Sequence, residues 1–249
     1  MKRVIGGTRA VTEALRGRTA RSLAVVYVEA GNRRARSAVE GPASEAGVAL
    51  EERGRDEMDR LASGLKHQGV LAVGGDYPYV DMDRILAEAP HPPLLVALDE
   101  ISDPHNFGAI VRSAVAFGVD GILTLKHRAA PVTPAVVRVS AGATEHARIA
   151  RITNLARTLR SLRDDHGLQV VGLDEHGSQP LDALGAAPGG RVLVVGSEGK
   201  GLRRLVHESC DVMVRIDLAG PVGSLNASVA AAVTMYEASR ARRRGSEAT

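Results

Sequence analysis

Apolar positions in the second half of the chain fall into short, nearly unbroken runs. Leu94-Leu95-Val96-Ala97-Leu98, Gly121-Ile122-Leu123-Thr124-Leu125, Leu168-Gln169-Val170-Val171-Gly172-Leu173, Arg191-Val192-Leu193-Val194-Val195 and Val212-Met213-Val214-Arg215-Ile216 are each of strand length. Such runs describe strands covered on both faces. Between and after them, residues 109–117, 134–139, 155–166, 202–207 and 227–243 carry helical patterns. Strands that alternate with helices predict a mostly parallel sheet with helices on both faces. The end from residue 242 is expected to fray.

The first 76 residues alternate in the same way on a smaller scale. Helices are predicted at 8–15, 33–46 and 56–61, and strands at 23–28, 48–50 and 70–73, the last entered through His67-Gln68-Gly69. This is a small α/β layer domain. Three prolines in Pro90-His91-Pro92-Pro93 resist both helix and central strand. They place a boundary there, with residues 1–76 as one domain, 77–92 as a linker and 93–249 as a second domain.

Three glycine-marked corners follow strand-like runs and open helix-like ones. They are Asp103-Pro104-His105-Asn106-Phe107-Gly108, running on to Arg112, then Gly196-Ser197-Glu198-Gly199-Lys200-Gly201, then Gly220-Pro221-Val222-Gly223-Ser224-Leu225-Asn226. Polar groups at the carboxyl ends of strands are where α/β proteins build ligand sites. Each corner also has a plain structural explanation. Asp103 or Asn106 can cap a helix, as can Ser224 or Asn226. The second can be a tight turn, and Arg112 can be a surface residue whose stem lies among apolar neighbours. Two familiar phosphate motifs are excluded by spacing. The second corner reads G-x-x-G-x-G, late in the chain, where a dinucleotide fingerprint needs G-x-G-x-x-G after a first strand. A P-loop needs Ser or Thr after its Gly-Lys, and Gly201 stands there.

Composition narrows the field further. Aromatic residues are 2% of the chain and Trp is absent, so a base-stacking platform is not expected. Net charge is +3, but residues 1–36 hold nine Lys or Arg against two Glu. That imbalance suits a polyanion, and equally a solvated basic face. Cys210 is the single cysteine, so no internal disulfide forms and a cytoplasmic location is expected. No secretory signal or membrane span is expected from the apolar runs. Histidines such as His67 and His105 lack metal-ligand spacing, and no metal is expected.

The ordered trio Asn106-x-Gly108-x-x-x-Arg112, Gly196-Ser197-Glu198-Gly199-x-Gly201 and Ser224-Leu225-Asn226-x-Ser228 resembles the SpoU (TrmH) branch of the SPOUT RNA methyltransferases. The front segment, with His67-Gln68-Gly69-Val70, looks like the substrate-binding domain of the RlmB-type subgroup, which is similar to a small ribosomal protein. The resemblance implies an α/β fold whose mostly parallel sheet carries a deep C-terminal trefoil knot, behind a small RNA-binding domain. It implies S-adenosylmethionine as methyl donor, held by Val195, Gly196, Ser197, Gly201, Ile216, Leu218 and Leu225. It implies Asn106, Arg112, Glu198, Ser224 and Asn226 as catalytic-site residues. Gly223 stands where a larger residue is common in the family. The implied reaction is methyl transfer to a ribose 2′-hydroxyl, with a guanosine of large-subunit ribosomal RNA as target. A homodimer through the knot region and no membrane partner are also implied. Transfer RNA or a ribosomal antibiotic-resistance site are alternative targets, and a non-catalytic ribosome-assembly factor is the alternative of another class.

Overall fold

A computed structural model describes residues 3–247. In chain order its first elements are β1 (Arg3–Gly6), α1 (Thr8–Arg16), β2 (Leu23–Glu29), α2 (Arg33–Ala46), β3 (Ala49–Arg53), α3 (Arg55–Ala62) and β4 (Val70–Gly74). Then follow α4 (Met82–Glu88), β5 (Leu94–Leu98), α5 (Pro104–Ala116), β6 (Gly121–Leu125), α6 (Pro134–Val139) and β7 (Ile149–Ile152). The last are α7 (Leu155–Asp164), β8 (Gln169–Leu173), β9 (Gln179–Pro180), β10 (Arg191–Val195), α8 (Arg204–His207), β11 (Val212–Arg215) and α9 (Ala227–Glu247).

The chain folds into two compact units. One runs to Pro78 and takes in Pro131–Ala147; the other comprises Tyr79–Ala130 and everything from Arg148 onward. In the first unit the strands lie in the order β1-β4-β2-β3, with β2 and β3 parallel and the other pairs antiparallel. Val11, Ala14, Val26, Val39 and Val70 form its core, and Val137 from the late segment packs among them. A buried polar cluster binds that segment in place. The Arg3 guanidinium meets the fully buried Glu145 carboxylate at 3.1 Å, and Glu145 also accepts from the hydroxyls of Thr19 and Thr144. Breaking such a pair by removing one partner costs about 3–5 kcal/mol, because the other charge is left without compensation.

The second unit is built on a seven-stranded sheet ordered β7-β6-β5-β10-β8-β11-β9, with parallel pairing throughout. Every residue of β5, β6 and β10 is buried, as their apolar runs require. Leu155, Leu159 and Leu162 of α7 and Val206 of α8 pack with Val192 and Val194 of β10 in one cluster. Elsewhere on the sheet α9 lies against β10 and packs on α5.

Three details of the chain's organisation come from the structure. The stretch 77–92 carries a short helix, α4, whose Ile85 is fully buried and fills the space over Gly121. Residues 131–147 leave the second unit, because Val137 and Glu145 find their apolar and ionic partners among residues before 78. Helix α9 runs on through 242 to Glu247, with the Arg242 guanidinium donating to Asp120 at 2.6 Å, and residues 248–249 of the tail lie outside the described residues. The strands β1, β7 and β9 are additions, the first two four residues long and the last only two, too short for a clear period.

Candidate active site

Parallel register brings the site's loops to one edge of the second unit's sheet. Leu98 at the end of β5 pairs with Val195 at the end of β10. Val194 pairs with Gly172, and Val214 with Leu173. The chain therefore leaves β5, β8, β10 and β11 on the same side, where open parallel sheets place their ligands.

After β5, Asp103 caps α5, its carboxylate accepting from the backbone N–H groups of His105 and Asn106 at 3.1 and 3.2 Å. Pro104 occupies the first helical turn, where its missing N–H costs nothing. This frees the Asn106 side chain from capping. Asn106 is buried, and its Nδ2 donates to Glu198 Oε2 at 3.3 Å.

After β10, the chain closes a tight loop, with the Gly201 N–H donating to the Ser197 carbonyl at 3.0 Å. Gly199 and Gly201 have φ of 75° and 60°, and a Cβ on Gly196 would sit 2.3 Å from the Gly201 carbonyl carbon. Only glycine permits that approach of backbone to backbone. The loop holds Glu198 toward Asn106 and toward the start of α9.

There Asn226 completes a triangle. Its Nδ2 donates to Asn106 Oδ1 at 2.9 Å and to Glu198 Oε1 at 2.6 Å. Its Oδ1 accepts from the Ser228 N–H at 2.9 Å and the Ser228 hydroxyl at 2.6 Å. The backbone donor fixes which end of the amide is oxygen, so Nδ2 must face Glu198. Asn226 is thus both the cap of α9 and part of the triangle, a duty that does not fall to Ser224.

Beside the triangle lies an open cleft of about 750 Å³. Val195, Gly196, Ser197, Gly201, Ile216, Leu218 and Leu225 all line it, together with Glu198, Ser224 and Asn226. Arg112 is placed differently. It is exposed, has no hydrogen-bond or ionic partner among the described residues, and lies off the buried face of α5 that carries Asn106. At 100° per residue the two side chains are about 120° apart around the helix. The apolar stretch around Arg112 leaves it a surface cation.

Sequence reasoning passed over Asp174, Glu175, His176 and Asp217, which also line the cleft. Their signal was position alone: the first three follow β8 and the last follows β11, at the same carboxyl edge.

Matches to known proteins agree with this architecture. Residues 93–236 match the SpoU rRNA Methylase family, and residues 4–80 match the RNA 2′-O ribose methyltransferase substrate binding domain. The chain belongs to the SpoU rRNA methylase family. It is 51% identical over 204 residues to a protein of Mycolicibacterium vanbaalenii named an uncharacterized tRNA/rRNA methyltransferase, covering 81% of this chain and 64% of that one. A Mycobacterium sp. (strain KMS) protein of the same name is 48% identical over 241 residues, covering 95% and 76%. The chain thus spans about two thirds to three quarters of these relatives' lengths. Among solved structures, the SpoU methyltransferase AviRb from Streptomyces viridochromogenes, in complex with the cofactor AdoMet, superposes with a TM-score of 0.79 at 27% identity. That match covers 98% of this chain and 91% of AviRb. This SpoU chain has no helix, among its described residues, long and apolar enough to cross a membrane.

Proposed function

We propose that the protein transfers a methyl group from S-adenosylmethionine to a ribose 2′-hydroxyl of RNA, with a guanosine of large-subunit ribosomal RNA as target. The observation that supports this most is the closed Asn106–Glu198–Asn226 triangle at the rim of the 750 Å³ cleft. The cleft suits the donor chemically. Leu173, Val195, Ile216, Leu218 and Leu225 offer an apolar bed for a purine, at a volume within the usual range for small-molecule sites, about 300–1,000 Å³. Asp174, Glu175 and Asp217 offer negative charge to a sulfonium and an ammonium. When bound, the donor supplies a strongly electrophilic methyl carbon.

The protein's own groups then orient a poor nucleophile and compensate its developing charge. Glu198 is held by two amide groups and shapes the rim; Asn106 and Ser224 position the ribose. Arg112 offers a planar fork of N–H donors, and with it binds a substrate phosphate and stabilises the forming alkoxide. Its lack of hydrogen-bond and ionic partners among the described residues suits that task. The front unit supplies RNA affinity, with Arg9, Arg16, Arg33, Arg34 and Arg138 exposed and without ionic partners among the described residues. The protein would act in the cytoplasm, where its RNA substrate is made and assembled. A homodimer is part of the proposal: Val229, Val233 and Tyr236, spaced along one face of α9, are 47%, 39% and 50% exposed. The family's trefoil knot is proposed for the chain between β10 and α9.

The test is methyl transfer from labelled S-adenosylmethionine to undermethylated large-subunit RNA, with transfer RNA beside it. Alkali-resistant label at one ribose of the large-subunit RNA is the expected result. Label on transfer RNA alone would keep the chemistry and overturn the target; label on neither, with the precursor particle included, would favour an assembly factor.

A further inference from the structure

Asp99 follows β5 and belongs to none of the three motif corners. Its carboxylate is fully buried, and among the described residues it pairs with one cation, Arg203. Oδ1 accepts from Arg203 Nε at 2.7 Å and meets Nη2 at 2.6 Å, while Oδ2 accepts from the Arg203 backbone N–H at 2.9 Å. The Asp99 backbone N–H in turn donates to the Val195 carbonyl at 2.8 Å. Val195 is the last residue before the glycine loop and Arg203 lies two residues after it. One residue therefore grips both ends of the loop that carries Glu198.

Asp99 also stands only four residues before Asp103, the cap that sets the start of α5 and hence Asn106. Between them Glu100 is held at φ 57°, a left-handed conformation unfavourable for a side chain with a Cβ. Arg203 and Arg128 each approach its carboxylate at 3.4 Å. A strained backbone held by surrounding ion pairs is a device for fixing a functional loop. Burial explains why the carboxylate is met by a cation: Nε and Nη2 of Arg203 converge on Oδ1 while its backbone N–H takes Oδ2, and a lone carboxylate there would be uncompensated.

We infer that Asp99 and Arg203 are positioning residues that lock the Gly196–Gly201 loop to the start of α5, so that Glu198, Asn106 and Asn226 meet. The inference rests on the methyltransferase reading given above. In a folded protein without this lock the triangle loosens while the RNA-binding unit is untouched, so turnover falls and RNA affinity does not. A displacement of about 1 Å in such a site costs on the order of 100-fold in rate.

The experiment compares full-length wild type, Asp99→Asn, Arg203→Ala and Arg203→Lys in kcat, KM for RNA and thermal midpoint. Wild-type turnover is the check on the proposed reaction: its absence would defeat the methyltransferase reading, and with it this inference. With wild type active, kcat is expected to fall about 10- to 100-fold in Asp99→Asn and Arg203→Ala, with KM for RNA unchanged and substantial recovery in Arg203→Lys. Arg203→Ala keeps the backbone N–H to Asp99, so it reports even if Asp99→Asn does not fold. Wild-type kcat in folded Arg203→Ala, or a lower thermal midpoint with kcat intact, would show the pair to be merely structural and overturn the proposal.

Discussion

Asn226 carries two duties that a single substitution can separate. Asp at 226 keeps an oxygen for the Ser228 N–H, so the cap survives, but it loses the Nδ2 donor and sets a second carboxylate against Glu198. Asn226→Asp is therefore expected to lose methyl transfer by roughly 100-fold with only a small change in thermal midpoint, while Asn226→Ala loses both activity and about 1 kcal/mol of stability. Calorimetry beside a turnover assay distinguishes them. For Arg112, Arg112→Ala is expected to lower kcat by roughly 100-fold or more and Arg112→Lys to recover part of it, as a point charge replaces a planar fork. Full turnover in Arg112→Ala would exclude any role for that side chain in the reaction. Arg112 and Asn106 were legible as motif members, but their placement on different faces of α5 came from the helix's buried side. Cys210 shows the opposite case, a residue with no local pattern. Burial raises its thiol to about 12, and its Sγ donates to the Val206 carbonyl at 3.3 Å. A thiol kept neutral in the fold contributes stability that is complete below its ordinary value of 9.0 and lost as pH rises through about 12. Iodoacetamide at about pH 8 is expected to leave it unmodified until the protein unfolds.

At the level of elements, the glycine loop after β10 depends on backbone contact. A methyl group at 196 would strike the carbonyl of Gly201 and the N–H of Leu202, at 2.3 to 2.7 Å, and neither can swing aside as a side chain could. Gly196→Ala is expected to open the loop and abolish S-adenosylmethionine binding by titration calorimetry, while the cores packed around α2 and α7 remain folded. Strands β5, β6 and β10 were readable because strands buried on both faces show unbroken apolar runs. The strand β3, Ala49–Arg53, was harder: Glu51 and Glu52 are exposed on an edge strand, so it carries little apolar pattern. Its parallel pairing with β2 and the ion pair of Arg53 with Glu57 place it.

For the whole molecule, the proposed RNA binding makes the exposed cations of the front unit the groups to test. The cations of α2 and β3 are partly engaged by neighbours, Arg36 by Glu40 and Glu52, for example. Arg9, Arg16, Arg33 and Arg34 are exposed and unpaired among the described residues. Replacing those four with Gln is expected to weaken RNA binding and flatten its salt dependence by roughly 0.7 in log–log slope for each phosphate no longer neutralised, whereas Arg36→Gln changes neither. Equal slopes in fluorescence titrations between about 50 and 200 mM salt, where counterion release shows, would refute the assignment.

From residues alone came the alternation of strands and helices, the three polar corners and their family resemblance, because each is written in local pattern and in spacing along one segment. What tertiary structure decided was which corners meet. Asn106 lies 92 positions from Glu198 and 120 from Asn226, the two residues it bonds. Only the parallel register of β5, β10, β8 and β11 brings their loops to one edge. It also decided that residues 131–147 join the front unit, since Glu145 needs Arg3 and nothing over a separation of 142 positions announces that need. Local propensity fixes period and turn; long-range pairing is fixed by burial, which no window along the chain can see.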